Sequence, residues 1–253
     1  MEARTVNRII GCGALLVALL LQSTGVASVA SSAPLTTDQV VQRMVAMNRA
    51  RAEALRSYTA TCVYHVENDN HDRSADLVVK IAYLWPNRKE STIISWSGSS
   101  ALRNYVLNRL REGELEAMQE ENRRRTDMNP ENYDFSLVDY DRTGPHNSYV
   151  MEVVPKTKNK FLFRGRIWVD AQDFGIIRME GAPAKNPSWW TTHIEVDHSY
   201  CKVGDFWLPS RLESVAHVRI FGRSVLTIIY KDYKLIDAHT VETPTLASAL
   251  PIR

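Results

Sequence analysis

The sequence is poor in the features by which chemistry usually announces itself. Only three of its 253 residues are cysteine, and none stands in a CxxC pair or at a Cys/His spacing suited to zinc or redox exchange. Of the seven histidines, at 65, 71, 146, 193, 198, 217 and 239, no two form an HExxH motif. A GxSxG elbow and a glycine-rich phosphate loop are also missing. His193, Glu195 and Asp197 come nearest to a ligand set, alternating on one strand face, but a polar outer strand face has the same pattern. No catalytic residue, metal ligand or cofactor is assigned, and the chain is not expected to be an enzyme. Its formal net charge is +2, with both signs interspersed, so there is no basic field for nucleic acid.

No apolar run is as long as a membrane-spanning helix. The longest apolar run, Ile9 to Leu21, has about 13 residues, short of the roughly 18 that a spanning helix needs. Arg4 and Arg8 precede it and the small residues of GVASVASSA follow it, which is the order of a secretory leader. Cleavage is expected after Ala30, where Ser28 and Ala30 present small side chains. Cys12 sits at the start of the run instead of after it and is read as part of the discarded leader, not as a lipidation site. Export leaves Cys62 and Cys201 in an oxidising compartment, where pairing is the default. Strand phase opposes it: Tyr58, Ala60, Cys62, Tyr64 and Val66 share an apolar face, whereas Cys201 keeps phase with His193, Glu195, Asp197 and Ser199. The thiols then point to opposite sides unless a bulge intervenes.

What the chain has in quantity is strand. After one amphipathic helix over Thr36 to Arg56, with Val41, Met44, Val45, Asn48, Ala52 and Leu55 on one face and a Thr36/Gln39 capping box, alternating segments follow. They run Tyr58 to Glu67, Leu77 to Trp85 with Pro86 as its stop, and Glu90 to Trp96. From Ser100 to Arg125 the pattern turns helical, with an apolar stripe at Leu102, Tyr105, Val106 and Leu110 and one-turn pairs Glu120/Arg124 and Glu121/Arg125. Beyond it come strands at Tyr133 to Asp141, Ser148 to Pro155, Phe161 to Asp170, Ile176 to Gly181, His193 to Cys201, Leu208 to Ile220 and Ser224 to Leu235. GPHN, KTKN, AQDFG and KVGD make the turns. With no helix between these later strands, a doubly wound α/β fold is excluded. The expected organisation is a leader over 1–30, one domain over 31–237 and a tail over 238–253.

About ten antiparallel strands must curl, close or be covered on one face. The fold class expected is mainly β (α+β), a curved antiparallel half-barrel with helices across its concave face. Its apolar strand faces serve either as an ordinary core or as the wall of a cavity for acyl chains. Six tryptophans and ten tyrosines bear on that choice. Trp189 and Trp190 follow a Pro/Gly loop, and neighbours in an extended chain face opposite ways, so at least one belongs at a rim. The candidate lining is Tyr83, Trp85, Trp96, Leu102, Val106, Leu110, Trp168, Trp189, Trp190, Leu212 and Val218. In FRGRIWVD, Arg164, Arg166, Trp168 and Asp170 share a face opposite Ile167 and Val169, so if Trp168 points inward Arg166 does too and needs a partner.

Leader, amphipathic helix, the YTATCVYHV strand, a strand stopped by Pro86, a helical excursion and a long meander together resemble the LolA/LolB-like superfamily. FRGRIWVDAQDFGIIRMEG and YCKVGDFWLPSRLESVAHVRIFG are similar to segments of bacterial outer-membrane lipoprotein-sorting proteins. The resemblance implies a non-catalytic periplasmic carrier that holds the acyl chains of lipoproteins or lipids, with membrane-associated donor and acceptor proteins. Its alternative is an RseB/MucB-like module that senses envelope stress. LolA-type carriers have an arginine before the early-strand proline that contacts the lid helices; here Trp85 takes that place, with Arg88 shortly after.

Overall fold

The computed structural model describes residues 34–69, 73–86, 88–101, 103–104, 108, 127–159, 161–186, 191–219 and 222–236. The expected leader, 1–30, and tail, 238–253, lie outside these residues.

Helix α1, Thr37–Ala54, starts where the sequence marks it. The Thr36 side chain accepts from the Gln39 backbone N–H and the Gln39 side chain accepts from that of Thr36, both halves of a capping box, which satisfies two donors that helix geometry leaves orphaned. Val40, Val41 and Met44 are buried. Ala52, expected on the same face, is exposed. The last turn is held instead by Arg51, whose guanidinium donates to the backbone carbonyls of Asp173 and Asp205.

Ten strands follow: β1 Ser57–Asn68, β2 Arg73–Leu84, β3 Arg88–Gly98, β4 Tyr133–Asp141, β5 Ser148–Pro155, β6 Phe163–Asp170, β7 Ile176–Pro183, β8 Thr191–Val203, β9 Phe206–Val218 and β10 Gly222–Ile236. All ten join one antiparallel sheet in the order β3-β2-β1-β10-β9-β8-β7-β6-β5-β4. The meander expected from turn spacing is present from β4 to β10 and from β1 to β3, and the two runs are joined by β1 against β10. The sheet is open, with β3 and β4 as its edges, although these two strands are consecutive in sequence.

The register aligns whole rows of side chains. On the face that carries α1, one row runs Leu137, Met151, Ile167, Met179, His198 from β4 to β8. It continues Leu212, Ile228, Tyr64, Leu77, Trp96 to β3. The neighbouring row on the other face reads Ser136, Glu152, Arg166, Glu180, Asp197 and then Glu213, Thr227, His65, Asp76, Ser97. One row is apolar except for the His198 imidazole and the Tyr64 hydroxyl; the other is polar throughout. A strand period of two, kept in step across ten strands, has separated the faces.

Two devices adjust this pattern. Two residues of β10, Asp232 and Tyr233, oppose the single Ala60 of β1; Asp232 sits at φ 56, and the bulge turns Tyr233 inward in place of the aspartate. Between β6 and β7, Gly165 and Gly181 are cross-strand partners. A Cβ on either would collide with the partner strand's backbone, at Glu180 and Arg164 respectively, so only glycine permits the approach.

The inner face holds two clusters. Val40, Val41 and Met44 of α1 pack on Tyr133, Met151, Val153, Ile167 and Val169 over β4 to β6, with Leu162 and Phe174 from the loops. The second cluster, Ala60, Cys62, Tyr64, Val66, Ala75, Leu77, Val79, Ile81 and Ile228, is made by β1, β2 and β10 alone.

Candidate functional site

The second cluster and its borders form the candidate site. Its polar atoms are almost all hydroxyl, neutral at ordinary pH. Tyr58 stacks on Tyr83 with centroids 5.4 Å apart and lies 5.7 Å from Tyr233. Burial pushes the Tyr58 phenol up to about 12 and the Cys62 thiol up to about 11, and it raises Tyr230 and Tyr233 as well. The Tyr83 hydroxyl donates to the Pro86 carbonyl at 2.9 Å, and that of Tyr233 to the Pro209 carbonyl at 2.6 Å. Both thiols are free. The result is an aromatic, uncharged surface at any pH near neutrality.

His198 and Tyr200 of β8 border this surface. Burial lowers the His198 imidazole to about 4, and the nearby Asp197 charge recovers little of that. The Tyr200 phenol is raised to about 12 by burial. Its hydroxyl lies 3.1 Å from His198 Nδ1 and 3.3 Å from Met179 Sδ. Sequence reasoning missed both residues, though a signal was available: in HIEVDHSY they share the phase of Ile194 and Val196, not that of His193, Glu195 and Asp197.

The far border of the site is the β3 edge. Trp96 and Ile93 continue the inner face there, paired with Leu77 and Val79, yet Trp96 is 49% and Ile93 45% exposed. Arg103 lies over the Trp96 ring at 4.1 Å. Apolar surface thus runs from the buried strands out to the β3 edge, where the Arg103 guanidinium covers part of the Trp96 ring.

The expected lining is only partly gathered here. Tyr83, Trp96 and Leu212 face inward with the second cluster. Trp85 lies just beyond β2, exposed, with the Arg56 guanidinium 4.9 Å from its ring centre. Trp168 is on the outer face beside Arg178, at 4.8 Å, which answers the question posed by its strand: Arg166 also points outward and needs no buried partner. Val218 ends β9, but its side chain is outside the described residues, as are Leu102, Val106, Leu110, Trp189 and Trp190.

The outer face differs in kind. A trough of about 530 Å³ there is bordered by Glu152, Arg166, Glu180, Glu195, Asp197 and Glu213, among others. Arg178 bridges Asp197 at 2.7 Å and Glu180 at 3.0 Å, and His193 bonds Glu195 at 2.9 Å. Gly181, Ala182, Val196 and Val215 also border the trough, so its wall mixes apolar patches with charged groups whose hydration an acyl chain would displace. Among the described residues no group of three or more acidic, histidine or cysteine side chains is placed to hold a metal.

At the end of the sheet near α1, Asp173 ties the layers together. It accepts from Lys202 Nζ at 2.7 Å and Trp207 Nε1 at 2.9 Å, with the Arg51 guanidinium at 3.2 Å. Burial alone would raise its carboxyl, but the bonds from Lys202, Trp207 and the Gly175 N–H, with the Arg51 charge, bring it down to about 2.

No family model and no curated protein sequence matches the chain. Solved structures do. A putative outer-membrane lipoprotein-sorting protein domain from Vibrio parahaemolyticus matches at 11% identity and a TM-score of 0.42, over 79% of this chain and 96% of the other. A DUF1329 family protein from Desulfovibrio piger matches at 11% identity and 0.39, over 80% and 94%. A LolA superfamily protein from Nitrosomonas europaea matches at 11% identity and 0.36, over 81% and 95%.

Proposed function

We propose that the chain is a non-catalytic periplasmic carrier that shelters the acyl chains of a lipoprotein or lipid against the inner face of its sheet, for sorting to the outer membrane. In this reading the leader over 1–30 is removed on export and residues 31–237 form the carrier. Membrane-associated donor and acceptor proteins hand the cargo on. The observation that carries the proposal is the inner face of β10, β1, β2 and β3, apolar or aromatic from Ile228 to Leu77 and still so where it meets solvent at Ile93 and Trp96 on the open β3 edge. Each methylene moved from water onto such a surface contributes about 0.8 kcal/mol, so a chain of ordinary length is held firmly without a charged anchor. An exposed apolar strip beside a buried apolar face has a use in cargo transfer that it lacks in a closed core.

Native mass spectrometry of the protein purified from its own envelope, together with uptake of a fluorescent fatty acid, tests the proposal. A co-purifying lipid or lipoprotein with saturable uptake is expected. Neither lipid nor uptake would overturn it, and retention of a single membrane signalling protein in their place would favour the envelope-stress sensor.

A further inference from the structure

His198 is the one imidazole in a row of ten across the inner face, between Met179 and Leu212. Its Nδ1 has a partner in the Tyr200 hydroxyl at 3.1 Å, and its Nε2 is buried with none. The Tyr200 hydroxyl has one hydrogen to give, to the imidazole nitrogen or to Met179 Sδ at 3.3 Å. Two arrangements meet both contacts or the stronger one: the hydroxyl gives its hydrogen to Met179 Sδ and accepts from Nδ1–H, which leaves Nε2 an acceptor, or it gives its hydrogen to Nδ1, which puts the ring proton on Nε2. In the second arrangement Nε2 is a buried donor with nothing to donate to, and a carbonyl oxygen brought to it selects that tautomer. Asp197, next in the strand, points outward and is engaged by Arg178 at 2.7 Å, so it cannot serve. In either arrangement Nε2 is a buried ring nitrogen without a partner, and native structures seldom leave one so without a use for it.

We propose that the Nε2–H of His198 receives the carbonyl oxygen of an ester or amide at the head of an acyl ligand, whose chain lies along Met179 and Leu212. The proposal rests on the acyl-carrier reading above and adds the chemical class of the ligand's polar end. A neutral carbonyl suits the site better than a carboxylate. The imidazole is held uncharged by its burial, and a charged acceptor brought onto this surface would lose its hydration without meeting a countercharge. Nε2 has no open surface, so the entering head must part the side chains around it, and the hydrogen bond it forms is one the empty protein lacks.

Three probes matched in chain length separate the terms: methyl palmitate, N-methylpalmitamide and hexadecyl methyl ether, the last without a carbonyl. Each competes with a bound fluorescent fatty acid on the full mature protein. The ester or the amide is expected to bind about tenfold tighter than the ether, the worth of one hydrogen bond. A gain for the ester points to a lipid as the source, and a gain for the amide alone to an acylated peptide. In His198→Leu the preference should disappear while ether binding holds, and His198→Gln, which keeps an N–H near the same place, should restore part of it. With carbonyl-labelled probe, the ¹³C resonance should move downfield in the wild type and stay put in His198→Leu. If the probes bind with equal affinity, or the preference survives His198→Leu, this proposal is wrong and the carrier stands; if no probe binds, the carrier reading falls first.

Discussion

Under α1, Met151, Ile167 and Val169 have no surface left, whereas at the other end of the inner face Trp96 keeps nearly half of its own. The first region is a core in the ordinary sense: helix and sheet fill the space between them with aliphatic, thioether and aromatic side chains, and its buried Tyr133 hydroxyl accepts from the Phe163 N–H. The second uses the same strand alternation but other residues. Tyrosines, a thiol and an imidazole replace part of the aliphatic lining, and the face runs out to an exposed edge. The difference separates two uses of apolar surface, one that holds the fold together and one that is kept for something else.

Four measurements would sharpen or break that contrast. The largest effect is expected under the helix: Ile167→Ala should lower unfolding free energy by about 2–5 kcal/mol in a denaturant titration, with acyl uptake per folded molecule unchanged. If it removes uptake without removing stability, the two regions have been assigned the wrong way round.

Asp173 comes next. Its folded carboxyl, at about 2, lies below the ordinary value, so it stabilises fully above about pH 4 and loses that contribution as the pH falls towards 2. Its worth is on the order of 2 kcal/mol. Asp173→Asn should therefore be less stable at neutral pH and should lack the wild type's loss between those two values, as read by thermal melts at each pH. Melting curves that fall in parallel would show that the carboxylate is not the group responsible.

At the open edge the order of stability and function reverses. Trp96→Ala should change stability by less than about 1 kcal/mol, since the ring is half in water, yet weaken acyl uptake roughly fivefold if the edge is part of the site. The smallest effect belongs to the outer face, where Asp197→Asn removes an exposed ion pair with Arg178. A loss below about 1 kcal/mol that vanishes in high salt is expected from chemical denaturation.

Much of the fold was legible because its signals are local. The Thr36/Gln39 capping box, the helix it opens and strands such as Tyr133–Asp141 and Ser148–Pro155 follow from spacing and turn residues within a few positions. Strand order was not, since the pairing of β1 with β10 joins distant parts of the chain and leaves no mark in either segment alone. The same limit hid which side of β6 faces in. Trp168 argued for the charged side and Ile167 for the other, and only the cross-strand rows decide for Ile167. Export and strand phase pulled opposite ways for Cys62 and Cys201, and the sequence left their pairing open; both thiols are free. His198 escaped because its charged neighbours drew the eye to the opposite phase of β8.

The seam between β1 and β10 has a temporal consequence. Ser57 pairs with Ile236 and Asn68 with Ser224, so the first strand made waits for the last before its second edge is satisfied. Closing a loop of that length is slow compared with forming a hairpin. Until β10 emerges, β1, β2 and β3 form only an isolated meander whose Ile228 contact is still missing, while β4 to β9 can already assemble around α1. The nascent chain is thus divided in time as the finished inner face is in space, with the region proposed to hold cargo completed last.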